Sequence, residues 1–242
     1  MDSINNKPTK TQVFNVIILD RSGSMQRIRD AAIDGFNETL ASIRNAQERF
    51  ADTQQHFVSL LTFCDCEKKY VYDKAPVAET HPLTRDDYRP CCYTPLYDAM
   101  GFTLTSMREY VSKIEDRIVV VTIITDGKEN SSKEYTGYAV KQLVEELRGE
   151  GWTFTYMGAN QNAVEIAFTL SIRNSRNFSA TNDGIKNIMA KDSSTRMNLF
   201  SRLADIKTAE FESGAPMSAS DRNACYSSAA DEAFDDVENH NA

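Results

Sequence analysis

No stretch of this sequence approaches the roughly 20 consecutive apolar residues that a membrane span requires. The first dozen residues are polar and lack the apolar stretch of a secretory leader. Those two absences predict a soluble, cytoplasmic protein with no membrane partner. Positive charge is also short: 27 Lys and Arg face 35 Asp and Glu, for a net charge of −8, and no basic stripe stands out. Binding to nucleic acid through its phosphates is therefore not expected. The five cysteines are an odd number, which argues against a closed disulfide framework and favours free thiols in a reducing compartment. There is no Gly-x-Gly-x-x-Gly and no P-loop, and His56, His81 and His240 fit no His-Glu-x-x-His pattern. Dinucleotide binding, P-loop chemistry and common metallohydrolase chemistry all lack their usual signatures.

What is present is a regular alternation of strand and helix patterns. Val13–Leu19 reads as a strand buried on both faces, and Met25–Phe50 as a long amphipathic helix. Phe57–Phe63 and Lys69–Asp73 are separated by a turn too short for a crossover, so they form an antiparallel hairpin. Thr94-Pro95 opens a helix to about Lys113, with the threonine as N-cap. Arg117–Thr125 is almost wholly apolar and must be central. A helix over 136–148, a strand over 152–157, a short helix over 162–170 and a strand over 176–180 follow. A helix capped by Asn182 or Asp183 then starts near Gly184, breaks at Asp192-Ser193 and resumes to Lys207. This order predicts an α/β fold: a doubly wound, Rossmann-like, mostly parallel sheet with one antiparallel edge strand and helices on both faces.

The domain organisation expected is a disordered segment over 1–11, one domain over 12–207 and an acidic tail over 208–242. That tail carries eight acids (Glu210, Glu212, Asp221, Asp231, Glu232, Asp235, Asp236, Glu238) against one base, Arg222. Its composition suggests a flexible or weakly helical end.

In a sheet of this kind the strand ends meet on one side, where ligands bind. The first strand runs into Asp20-Arg21-Ser22-Gly23-Ser24, and the central strand ends at Asp126-Gly127, with Thr94 opening the helix between them. Two carboxylates and three hydroxyls are thus expected at one end of the sheet, a set of oxygen donors suited to a hard ion.

Asp-x-Ser-x-Ser after the first strand, Thr94-Pro95-Leu96-Tyr97-Asp98-Ala99, and Ile124-Thr125-Asp126-Gly127 after a central strand resemble the von Willebrand factor type A family over roughly residues 12–207. The resemblance points to a bacterial-type intracellular member with the whole metal-ion-dependent adhesion site: Asp20, Ser22, Ser24, Thr94 and Asp126. It implies Mg²⁺, or Mn²⁺, held by Ser22 and Ser24, with Thr94, Asp20 and Asp126 acting directly or through water. It also implies a non-enzymatic adaptor that docks an Asp or Glu of a partner protein on the ion, in relatives often within AAA+ ATPase assemblies.

Plainer readings compete. Ser22 and Ser24 can cap the helix that follows, and Asp126-Gly127 can be a simple turn. A phosphohydrolase of the haloacid dehalogenase type also has an acid after its first strand, but needs a second acid where this chain has Ser22. Self-association through the acidic tail, reaching the site of a neighbour or of its own domain, is a further alternative. Arg21, Lys128 and Glu129 are expected around the site. Cys64, Cys66, Cys91 and Cys92 fall on the same face, yet Cys-x-Cys and Cys-Cys lack the usual Zn²⁺ spacing, so free thiols are favoured over Zn²⁺.

Overall fold

The computed structural model describes residues 9–159 and 163–239. Six strands form one sheet: β1 (Thr11–Asp20), β2 (Gln54–Cys64), β3 (Glu67–Pro76), β4 (Arg117–Thr125), β5 (Thr153–Ala159) and β6 (Asn174–Phe178). Their order is β3-β2-β1-β4-β5-β6, with every neighbouring pair parallel except β2–β3. The expected sheet, with its antiparallel edge strand, is the observed one.

Alternation along β1 divides the core. Phe14, Val16 and Ile18 face α2 (Leu96–Val111), α3 (Gly137–Gly149) and α4 (Ala163–Thr169). Ile17 and Leu19 face α1 (Arg29–Arg49) and α5 (Asn182–Ser213). The period of two in the strand thus feeds helices on both faces, which is why β1 and β4 read as continuous apolar runs.

Several boundaries differ from the sequence reading, each for a local reason. The first turn after β1 is a 3₁₀ segment, Gly23–Ile28, before α1 begins. The cap of α5 is Thr181, whose hydroxyl accepts from the Gly184 amide, rather than Asn182 or Asp183. The start of the 162–170 helix at Asn162 lies outside the described residues, and α4 begins at Ala163.

The expected break at Asp192-Ser193 is absent, because α5 runs unbroken to Ser213. Asp192 faces inward and accepts from Arg196 Nε at 2.8 Å, while Arg196 also donates to Asn15 Oδ1 at 2.9 Å and to Thr122 Oγ1 at 2.6 Å. The ion pair is nearly sealed from solvent, with side chains 2% and 4% exposed. Polar residues that look like a helix break are one side of a buried network, and its other side is the isolated Asn15 and Thr122 of β1 and β4.

The tail also differs. Residues 208–213 complete α5, and α6 (Ala219–Asn239) follows. Tyr226, Ala229, Ala230 and Ala233 of α6 pack with Val13, Ile118 and Val120 at the strand starts. A buried polar cluster fastens this corner. Lys207 Nζ reaches Asp116 Oδ2 at 2.6 Å and Glu210 Oε2 at 2.8 Å, Arg222 reaches Glu210 Oε1 at 3.2 Å, and Tyr226 donates to Asp116 Oδ1 at 3.0 Å. The flexible form of the expected tail is therefore corrected to a packed helix over these residues. The seven residue-to-residue steps from Val13 to Asp20 place that corner about 23 Å from the strand ends. Glu210 is committed there, so the alternative in which it folds back onto its own domain's strand-end site does not hold.

Candidate functional site at the strand ends

The five candidate residues meet. Asp20, the last residue of β1, is fully buried; its Oδ1 accepts from the Ser22 amide at 2.6 Å and its Oδ2 from Thr125 Oγ1 at 2.6 Å. Ser22 Oγ lies 3.1 Å from Ser24 Oγ, and Ser24 Oγ donates to Asp126 Oδ1 at 2.5 Å. Gly127 shows where Thr94 belongs: a Cβ placed there would stand 2.9 Å from Thr94 Oγ1, 3.4 Å from Ser24 Oγ and 3.6 Å from Asp20 Oδ2. A side chain at 127 would crowd the space these oxygens share.

The capping roles anticipated for the hydroxyls are not the ones observed. Ser22 sits at the N-cap of the 3₁₀ segment without a side-chain cap bond. Thr94 is not the cap of α2; that position is Pro95, and the helix begins at Leu96. Ser24 donates to Asp126 instead, with Ser22 against it, and Thr94 Oγ1 borders the space at Gly127. This corrects the readings of Thr94 and Ser22 as helix caps.

Neighbouring residues hold this arrangement; Tyr88 and Asn130 had no signal in the sequence, and Asp98 stood in the Thr94–Ala99 segment without a role. Tyr88, completely buried, donates to the Asp20 carbonyl at 2.5 Å. Asn130 clasps Thr94: its Oδ1 accepts from the Thr94 amide at 2.9 Å, and its own amide donates to the Thr94 carbonyl at 3.2 Å. Asp98 accepts three backbone N–H bonds from Lys133, Glu134 and Tyr135 at 2.8–2.9 Å, fixing the loop after Asp126 to α2. Although burial opposes its ionisation, these bonds hold the Asp98 carboxyl below the usual range.

The charged rim also departs from expectation. Arg21 is turned away, donating to Cys64 Sγ at 3.3 Å and to Glu67 at 2.9 Å. Glu129 is spent on local structure, accepting from the Tyr97, Ser131 and Ser132 amides and from the Ser132 hydroxyl. Lys128 is exposed beside the site, and the base that reaches it is Arg27, 3.3 Å from Asp126 Oδ2.

Electrostatically the site is short of positive charge. Burial pushes the Asp20 carboxyl up to about 6 against the lowering from Thr125 and Ser22, and the Asp126 charge adds to the rise. Arg27, with its side chain more than half exposed, stands as a loosely held counter-charge where a cation is favoured. Two carboxylates and three hydroxyls around one crowded point match the donor chemistry of Mg²⁺ or Mn²⁺, so the residues fit such an ion.

No family model matches the sequence, and no curated protein does either. Solved structures with the same fold do match. The pilus adhesin SpaC of Lactobacillus rhamnosus GG aligns at 12% identity over 81% of this chain and 32% of its own, with a TM-score of 0.59. Proximal thread matrix protein 1 of the mussel byssus, in a form with a zinc-occupied MIDAS motif, aligns at 13% identity over 78% of this chain and 48% of its own, with a TM-score of 0.51. The manganese-loaded TRAP protein of Plasmodium vivax aligns at 16% identity over 76% of this chain and 73% of its own, with a TM-score of 0.50. The chain spans less than half the length of the mussel and Lactobacillus proteins. At these identities the likeness is one of fold alone: this chain has the Rossmann-like, mostly parallel mixed-sheet architecture of these structures.

Proposed function

We propose that Asp20, Ser22, Ser24, Thr94 and Asp126 hold a Mg²⁺ ion, with Mn²⁺ as the alternative, and that the chain is a non-enzymatic module that binds another protein through it. The observation that carries this reading is the orientation of Ser22, Ser24 and Thr94. Ser24 Oγ donates to Asp126 and lies against Ser22 Oγ, Thr94 Oγ1 borders the same space at Gly127 as Asp20 Oδ2, and neither Ser22 nor Thr94 caps the segment that follows it.

When bound, the ion supplies a Lewis-acidic position for an Asp or Glu side chain of the partner. The chain's own residues prepare for that. Ser22 and Ser24 offer neutral oxygen, which leaves the positive charge of a divalent ion only partly offset. Asp20 and Asp126 orient hydroxyls or waters from the buried side. Lys128 and Arg27 at the rim favour an acidic partner surface. The zinc and manganese named for the mussel and Plasmodium proteins are in keeping with a divalent ion in this fold.

A phosphohydrolase nucleophile is poorly served by Asp20, because both of its oxygens accept short hydrogen bonds and the residue has no exposure. The test is capture of binding proteins from native lysate with and without EDTA. Wild type is expected to retain a specific partner only with Mg²⁺, and Asp20→Ala to retain none. An identical retained set in all four samples would refute metal-dependent docking.

A further inference from the structure

The four cysteines of the strand-end face come from two short segments that converge. Cys64 closes β2 and Cys66 lies in the β2–β3 turn, while Cys91 and Cys92 precede Thr94. Cys64 Sγ lies 3.4 Å from Cys91 Sγ, and Cys66 Sγ lies 2.8 Å from Cys92 Sγ. The sulfurs of Cys64, Cys66 and Cys91 all fall within 4.8 Å of one another, so Cys66 belongs to both pairs.

We propose that Cys64, Cys66, Cys91 and Cys92 form a structural zinc site that clips the loop carrying Thr94 to the β2–β3 hairpin. Four thiolates at about 2.3 Å from a tetrahedral ion stand about 3.8 Å apart; Cys64, Cys66 and Cys91 lie within 4.8 Å of one another, and Cys92, which groups with Cys66 and Asp65, completes the set by a small side-chain shift. The usual Cys-x₂-Cys spacing is missing, but that spacing matters only when one knuckle supplies two ligands in the usual way. Here each segment supplies an adjacent or next-adjacent pair.

The backbone is built to present those pairs. The Cys91 amide donates to the Arg21 carbonyl at 2.8 Å, and the Gly23 amide donates to the Cys92 carbonyl at 3.0 Å. The Asp65 amide donates to the Tyr93 carbonyl at 3.2 Å, and the Tyr93 amide donates to Asp65 Oδ1 at 3.0 Å. Cys92 is held at φ 62°, a left-handed conformation costly for a residue with a side chain, and that conformation places its sulfur on Cys66. Arg21, 3.3 Å from Cys64 Sγ, offsets part of the double negative charge of a zinc tetrathiolate. Cys66 and Cys92 are exposed, so the ion has an entry path. Two separate disulfides need only pairwise contact and do not account for the closeness of Cys64, Cys66 and Cys91 as a group.

The experiment uses the full chain, reduced and stripped of metal, with Co²⁺ and Zn²⁺ alone as probes. One equivalent of Co²⁺ is expected to give the thiolate charge-transfer band and the intense visible absorption of a tetrahedral site, and Zn²⁺ to abolish both. Asp20→Ala is expected to keep that spectrum, which separates this site from the oxygen site beside it. Cys66→Ser is expected to lose it. Cys92→Gly is expected to lose it as well, with native circular dichroism, because glycine suits φ 62°. Absence of a thiolate band in reduced wild type overturns the proposal. Its persistence in both cysteine variants does the same, as does a protein isolated with Cys64–Cys91 and Cys66–Cys92 disulfides and no zinc.

Discussion

Ser24 Oγ donates to Asp126 Oδ1 at 2.5 Å, joining the turn after β1 to the end of β4 across 102 residues of sequence. That contact closes the strand-end cluster, and it also shows what an ion must do to bind. In the proposed site an ion would take the place of this hydroxyl–carboxylate bond and of the loose Arg27 contact. Stability and metal should therefore be linked at this point.

Mg²⁺ is expected to raise the melting temperature of wild type by mass action, with about 2.7 kcal/mol of stabilisation at 100 times Kd. Asp126→Ala should remove the shift. Ser24→Ala should reduce it, since water can take the place of one neutral ligand. Differential scanning fluorimetry across a Mg²⁺ series reads all three; equal shifts in wild type and Asp126→Ala would contradict the assignment.

Gly127→Ala places a methyl 2.9 Å from Thr94 Oγ1, inside the space where the oxygens converge. Mn²⁺ affinity should fall at least about tenfold, equivalent to about 1.4 kcal/mol. The same clash should lower the metal-free melting temperature, so Mn²⁺ titration followed by electron paramagnetic resonance, on protein with native circular dichroism, measures the affinity.

Asp98→Ala leaves three backbone amides of the loop after Asp126 without their acceptor. A cost of about 1–3 kcal/mol is expected in urea unfolding. Hydrogen exchange should show the gain in mobility at Lys133–Tyr135 rather than in β4.

The acidic limb of stability should depend on the corner under α6. Burial opposes ionisation of Glu210, but Lys207, the Met217 amide and Arg222 outweigh it and hold the carboxyl down at about 2, against an ordinary 4.5. A depressed folded value means that the contribution is complete above about 4.5 and is lost as pH falls toward 2. Glu210→Gln should be less stable than wild type at neutral pH and should lose less between pH 5 and 2. Parallel pH profiles for the two proteins would contradict the network.

The legible parts of this molecule were those written locally. Continuous apolar runs marked β1 and β4, short spacing marked the β2–β3 hairpin, and polar turns after buried strands marked where Asp20, Ser22, Ser24, Thr94 and Asp126 would meet. The illegible parts depend on pairing between distant segments. Arg196 meets Asn15 across 181 residues and Thr122 across 74, so Asp192 reads as a helix break when taken alone. Tyr226 is anchored to Thr11 across 215 residues, which turns a weak helical pattern into a packed helix. Glu129 looks like a rim charge because nothing local reveals that it accepts from the first turn of α2. The cysteines look unsuited to zinc until two loops are seen to bring them together.

The most direct measurement of the central claim is calorimetric titration of Mg²⁺ into wild type and Asp20→Ala at equal folded concentration. One binding event in wild type, absent in Asp20→Ala while its circular dichroism stays native, is the result predicted. Undetectable binding to wild type, or equal binding to both proteins, would contradict the metal site and the docking function built on it.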